Sequence, residues 1–175
     1  FVIGSNTTSS HPLVATRIFR AKQKGARLVV ADPRKIQLAS EADIHLSQNL
    51  GTDVALLNGM MHVILDRKWH DPAFIDERTE GFEEFKKVVE DYTPEKTAEI
   101  TGIPAEDIIK AAEYFGTAET ATIIYCMGIT QHTTGVDNVK SLANLAMLTG
   151  NVGRESTGVN PLRGQNNVQG ACDMG

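Results

Sequence analysis

Two short apolar runs, "FVIGSN" (Phe1–Asn6) and "ARLVVAD" (Ala26–Asp32), bracket a segment with helical spacing, "LVATRIFRAKQKG". Each run ends in polar or turn-forming residues and is too short for a buried helix, so each reads as a strand covered on both faces. Ser9 or Ser10 is placed to cap the intervening helix, Pro12 to open it and Gly25 to stop it. Strand, helix and strand within about thirty residues form a βαβ unit with a right-handed crossover. That unit commits the chain to a parallel sheet and sets aside helical bundles and antiparallel sandwiches.

The rest of the sequence extends the same plan. "ADIHLSQ" (Ala42–Gln48) reads as a third strand, and "GTDVALLNGMMHVILDRK" (Gly51–Lys68), opening on a cap-like Thr52, is the strongest helix. Four more polar helical segments follow, "DPAFIDERT", "GFEEFKKVVEDY", "TPEKTAEITG" and "PAEDIIKAAEYFG". The β-branched run Thr120–Gly128 is another buried strand, and Val136–Gly150 is an apolar-striped helix; beyond Gly150 no period remains. The expected fold is α/β: a Rossmann-like, doubly wound, mostly parallel sheet with helices on both faces and a helical insertion before the late strand. Residues 1–157 form the expected domain, and residues 158–175 an irregular segment leading out of it.

Charge and cysteine content exclude several classes. With 17 Lys and Arg against 22 Asp and Glu, the formal charge of −5 argues against general nucleic-acid affinity. No apolar run reaches membrane-spanning length. The two cysteines, Cys126 and Cys172, form no CxxC pair, so a zinc or iron–sulfur site within the chain is not expected. Cys126 reads as a small buried strand residue. Low cysteine usage fits a reducing, cytoplasmic compartment. The abrupt opening on "FVIG", without Met, reads as part of a longer polypeptide.

In open α/β sheets ligands bind at the carboxyl ends of the strands. Those ends carry Asn6, Ser9 and Ser10; Asp32 and Arg34; Gly51 and Asp53; and Met127, Gly128 and Gln131. An acid closing the second strand suits a ribose diol as acceptor, although "DPR" is equally a turn whose Asp caps its own backbone. Arg34 can neutralise a phosphate or stack on a base, or stand as a solvated charge. Asp53 can accept from a guanine-like amide edge or simply complement a helix N-terminus. The first turn lacks GxGxxG, which argues against NAD. The five histidines show no metal-ligand spacing, and only His132, at a strand end, attracts attention. The closing "GVNPLRGQNNVQGACDMG" (Gly158–Gly175) combines glycines, amides and a single cation, Arg163. Composition alone makes it a frayed end, but amides and close-approaching glycines can also line a flat, polar-edged ligand.

The segments "FVIGSN…SHP", "VVADPRK", "ALLNGMMHVI", "TEGFEEFKKVVEDYTPE", "CMGITQH", "LAMLTGNVG" and "GVNPLRGQNNVQGACDMG" resemble the catalytic subunit of molybdenum- or tungsten-dependent formate dehydrogenases, in the molybdopterin oxidoreductase superfamily. The resemblance covers essentially the whole chain. It implies a bis(molybdopterin guanine dinucleotide) cofactor carrying Mo or W, with residues 1–157 as the Rossmann-like domain that grips one dinucleotide. Asn6, Ser9 and Ser10 would then face a phosphate or ribose; Ala31, Asp32 and Arg34 the guanosine; Gly51 and Asp53 the same nucleotide. Met127, Gly128 and Gln131 would lie nearer the pterin. Arg163 would anchor formate beside the metal, followed along the pocket by Gly164 and Gln165.

The resemblance also implies what lies elsewhere in such proteins: a 4Fe-4S cluster, a Cys or Sec metal ligand, a domain completing the second dinucleotide site, and electron-acceptor subunits. The chain alone is therefore expected to be inactive. The competing readings are another molybdopterin oxidoreductase of the nitrate reductase type, disfavoured by the Arg before Gly-Gln in "LRGQNN", and a non-catalytic nucleotide-binding or interaction module.

Overall fold

A computed structural model describes residues 1–175. Five short strands, β1 (Val2–Ile3), β2 (Val29–Ala31), β3 (Ile44–Leu46), β4 (Thr122–Tyr125) and β5 (Gly158–Pro161), form one all-parallel sheet in the order β3-β2-β1-β4-β5. The register pairs Val2 with Val30 on one side and with Ile124 on the other. The expected α/β doubly wound fold is present.

Strand period sorts the apolar side chains onto two faces. Val2, Leu28 and Val30, with Ile124 beside them, pack against α2 (Pro12–Gln23) and α3 (Gln37–Ser40), through Ile18, Phe19, Leu38 and Ala39. Ile3, Val29, Ala31, Ile44, Leu46 and Ile123 face the larger core. There they meet α4 (Asp53–Asp66), α8 (Ala105–Gly116) and α10 (Gly135–Leu148). Leu56, Leu57, Met60, Met61 and Ile64 of α4 are fully buried, each worth about 1.5–3 kcal/mol of transfer from water. The helix is enclosed on most sides, which explains its nearly unbroken apolar sequence.

The helical insertion lies where expected, as α5 (Pro72–Arg78), α6 (Phe82–Glu90), α7 (Pro94–Thr101) and α8. Asp71 and Thr93 cap α5 and α7, accepting from Phe74 N and Lys96 N. Three local expectations change. Ser9 and Ser10 do not cap α2: they belong to a separate turn of helix, α1 (Thr7–Ser10), and His11 occupies the N-cap position with Pro12 at the first helical position. Thr52 sits at the N-cap of α4, but its hydroxyl donates to Asn49 O (2.7 Å) and leaves the helix end uncapped. The closing stretch is not irregular throughout: Gly158–Pro161 is an edge strand on β4, and Val168–Asp173 forms a short helix, α11, after a single helical turn α9 (Met127–Thr130) earlier in the chain. No helix is long and apolar enough to cross a membrane.

Candidate nucleotide cleft and its neighbour

The strand order reverses between β1 and β4: β1 leads to β2 over one face, and β4 leads to β5 over the other. Crevices in such sheets open at that point, beyond the carboxyl ends. Here two glycines meet. Gly128 N–H donates to Gly4 O (3.0 Å). A Cβ on Gly128 would lie 2.5 Å from Gly4 O, and one on Gly4 2.7 Å from Gly128 C. Gly4 also has φ +57°, which L side chains rarely adopt. The floor of the crevice is therefore bare peptide.

Above it lies a cleft of about 430 Å³, lined by Gly4, Asp32–Arg34, Gln48–Gly51, Asp53, Gly128 and His132. Asp32 is 2 % exposed, and Arg34 holds it three ways: N to Oδ1 (2.9 Å), Nε to Oδ1 (3.1 Å) and Nη2 to Oδ2 (3.3 Å). Asp32 thus caps its own turn, as one reading of "DPR" has it, and it also borders the cleft. The hydrogen bond to Asp32 raises the Arg34 pKa further above its ordinary value, and the guanidinium stays largely exposed. From β3, His45 Nε2–H donates to Asp32 O (2.9 Å), and just beyond the strand Ser47 Oγ donates to Pro33 O (3.1 Å), so the turn is fixed from beneath.

Gln48 closes the end wall. Its Nε2 donates to Asp53 Oδ1 (3.0 Å), and both residues are buried. Its Oε1 is buried with no protein partner. An acceptor in that state is an uncompensated cost unless a ligand or solvent donor meets it. Asp53 begins α4, whose uncapped N-terminus adds free N–H donors and the positive end of the helix dipole. On the opposite wall His132 Nε2–H donates to Gly128 O (2.8 Å).

A second cavity, of about 200 Å³, has in its lining Met127, the sequence neighbour of Gly128 in the first. It is lined by Tyr125, Cys126, Met127, Gln131, Arg163, Gly164 and Gln165, among others. Cys126 is buried as expected, and its Sγ donates to Leu162 O (2.8 Å). Arg163 is exposed, and its guanidinium makes no ion pair or hydrogen bond within the chain.

The candidate residues thus divide. Asp32, Arg34, Gly51, Asp53 and Gly128 share the larger cleft; Met127, Gln131, Arg163, Gly164 and Gln165 share the smaller. Ala31 is fully buried in the sheet beneath. Asn6, Ser9 and Ser10 lie at or on α1 and line neither cavity; Asn6 Oδ1 accepts from Thr8 Oγ1 (3.3 Å). Gly4 and Gln48 were not singled out from the sequence. The only local signal for Gln48 is a polar residue two places after a buried strand and five before the acid opening a helix. No group of three His, Cys, Asp or Glu side chains converges to hold a metal ion.

Comparison with known proteins identifies the family. The alpha subunit of a formate dehydrogenase from Methanocaldococcus jannaschii is 58% identical over 174 residues, covering 99% of this chain and 26% of that subunit. Formate dehydrogenase H of Escherichia coli is 53% identical over 175 residues, covering 100% of this chain and 24% of that protein. The solved structure of acetylene hydratase from Pelobacter acetylenicus superposes with a TM-score of 0.83 at 32% identity, over 89% of this chain and 22% of that one. The chain spans about a quarter of the length of these relatives. The description Molybdopterin oxidoreductase matches residues 1–175, and the chain belongs to that family.

Proposed function

We propose that this chain is the dinucleotide-gripping part of a formate dehydrogenase, which oxidises formate to carbon dioxide at a molybdenum or tungsten centre carried by a bis(molybdopterin guanine dinucleotide). The observation that carries this reading is the make-up of the larger cleft, a polar crevice at the sheet's switch point with an uncapped helix end and an orphaned buried acceptor; Met127, next in sequence to its Gly128, lines a separate pocket bearing an unpaired guanidinium.

The residues fit a guanine nucleotide. Gln48 Oε1 and the Asp53 carboxylate present adjacent acceptors, which a guanine edge with two N–H donors satisfies. Asp32 keeps lone pairs for a ribose diol after Arg34 has taken its share, and Arg34 has guanidinium N–H groups left for phosphate. The glycine floor lets a flat ligand approach the backbone.

When bound, the cofactor would supply a two-electron acceptor, so that formate could leave as carbon dioxide with release of a proton. The task of this chain is to hold and orient. Arg163 can grip a carboxylate with two parallel charge-assisted hydrogen bonds, which fixes the direction of the C–H and offsets the desolvation of the anion. Gln131 and Gln165 supply amide donors around it. Other domains of the same polypeptide and electron-acceptor subunits complete the reaction in this reading, the 4Fe-4S cluster and the metal ligand lie outside residues 1–175, and the setting is cytoplasmic.

Equilibrium titration of the chain with GDP and with NAD tests the nucleotide assignment. GDP is expected to bind more tightly, and tighter binding of NAD would refute it. Formate-dependent dye reduction by the cofactor-reconstituted chain alone would equally contradict the division of labour.

A further inference from the structure

We infer that His11 is a positioning residue for Arg163. This rests on the formate-anchoring role proposed for Arg163. His11 Nε2–H donates to Arg163 O (2.7 Å), across 152 residues of sequence. A carbonyl only accepts, so the imidazole carries its proton on Nε2. This is the single hydrogen bond joining residues 163–175 to the rest of the chain. The preceding residue is clamped on both sides, with Leu162 N donating to Tyr125 O (2.8 Å) and Cys126 Sγ donating to Leu162 O (2.8 Å). Beyond Arg163 the only backbone bonds are internal to α11.

The backbone of His11 is itself firmly seated, while the ring's Nδ1 is buried without a hydrogen-bond partner. His11 sits at the corner between α1 and α2, its N–H donating to Thr7 O (2.9 Å) and its carbonyl accepting from Val14 N (2.9 Å) and Ala15 N (3.0 Å). Its side chain does not cap α2, although it stands at the cap position. It spans the gap to the sheet edge instead. Arg163 has no side-chain partner, so the place of its Cα depends on the clamp at Leu162 and on this bond. An anchor for a small carboxylate needs that place fixed, because a displacement of about 1 Å undoes bidentate alignment.

The tether holds the carbonyl of the Arg163–Gly164 peptide, which is a tryptic bond. Limited trypsin digestion of the 175-residue chain therefore reads it without cofactor, with Arg154–Glu155 as the internal reference. Cleavage at a folded site follows the population of its open form. Loss of one net hydrogen bond should raise cleavage at Arg163 roughly threefold to tenfold in His11→Ala. His11→Gln, whose amide places a donor where Nε2 stands, should restore the wild-type rate. His11→Asn is a good N-cap residue but too short to reach, and it should behave as His11→Ala; it keeps the test open if the alanine variant does not fold. In the cofactor-loaded enzyme His11→Ala should raise the KM for formate by a similar factor, more than it lowers kcat, with rescue by His11→Gln. Unchanged cleavage in His11→Ala and His11→Asn, or no difference between them and His11→Gln, would overturn the tether. Normal KM in His11→Ala, where Arg163→Lys impairs formate use, would overturn the positioning role. Normal formate kinetics in Arg163→Lys and Arg163→Ala would instead refute the role of Arg163, while cleavage still reports on the tether.

Discussion

In the 175-residue chain on its own, the α-amine of Phe1 is a charge the fold cannot solvate; where a residue precedes Phe1, the same nitrogen is a neutral peptide N–H. The free amine is fully buried, donates to Thr122 O (2.9 Å), and burial pushes its pKa down from 8.0 to about 5. Its place in the sheet, where Phe1 O accepts from Ile124 N (2.9 Å), suits a neutral N–H. The unfolded chain binds a proton there below pH 8, and the folded chain only below about 5. Stability is then complete above pH 8, falls as pH drops through that window, and levels off below it. The interval corresponds to roughly 4 kcal/mol, a large share of a domain's total stability. The perturbation is Nα-acetylation, which removes the charge; the cavity beside Phe1, lined by Tyr114, Phe115 and Thr122, leaves room for the acetyl group. Urea unfolding at pH 8.5 and at pH 5.5 should show a loss in the free-amine chain that the acetylated chain largely lacks. Subtracting the two also cancels whatever pH dependence is common to both chains. Equal losses would refute the argument. The cleft should follow, because Phe1 leads into β1 and β1 ends at Gly4: GDP affinity of the free-amine chain should fall at low pH before that of the acetylated one.

Other substitutions test the cleft itself. Gly128→Ala drives a Cβ into Gly4 O and should destabilise the chain by about 3 kcal/mol in urea titrations while weakening GDP binding. Asp32→Asn should weaken GDP binding roughly tenfold by calorimetry, the scale of one charge-assisted hydrogen bond. Its effect on unfolding should be smaller, because the Arg34 side chain is 67% exposed and its ion pair is well screened. Gln48→Leu leaves the buried Asp53 carboxylate without its amide donor and should cost about 1–3 kcal/mol in thermal or urea unfolding.

Much of the fold was legible because its signals are local. "FVIG", "RLVV" and "ATIIY" are β-branched or apolar runs closed by polar or turn residues, and α4 and α10 carry an apolar pattern. The parts that were not legible depend on distant partners. β5 contains Gly, Asn and Pro, residues poor in strands, and exists through its pairing with β4, with Pro161 tolerated at the end of an edge strand. Asp32, Arg34 and Asp53 were legible as residues bordering the cleft because the topology places strand ends and the helix starts that follow them at the crevice. Gln48 was not, since its role appears only when the Asn49–Thr52 turn brings it back to Asp53. His11 reads in sequence as the residue before a proline, and nothing local points to a partner near the other end of the chain. The reverse error concerns Asn6, Ser9 and Ser10, polar residues at a strand end that turn into α1 and away from both cavities.

The meeting of Gly4 with Gly128 also has a temporal consequence. One wall of the cleft is synthesised within the first 53 residues, but its floor closes only when β4 pairs with β1, after the whole insertion α5–α8 has been made and packed. Contacts of such long sequence separation form late, because the loop entropy must be overcome first. On the proposed function, a nascent chain therefore gains its nucleotide grip only after β4 has been made and has paired with β1. Ligand capture would then act as a check on that pairing: a guanine nucleotide held between Asp53 and Gly128 would stabilise only molecules in which both walls are in place.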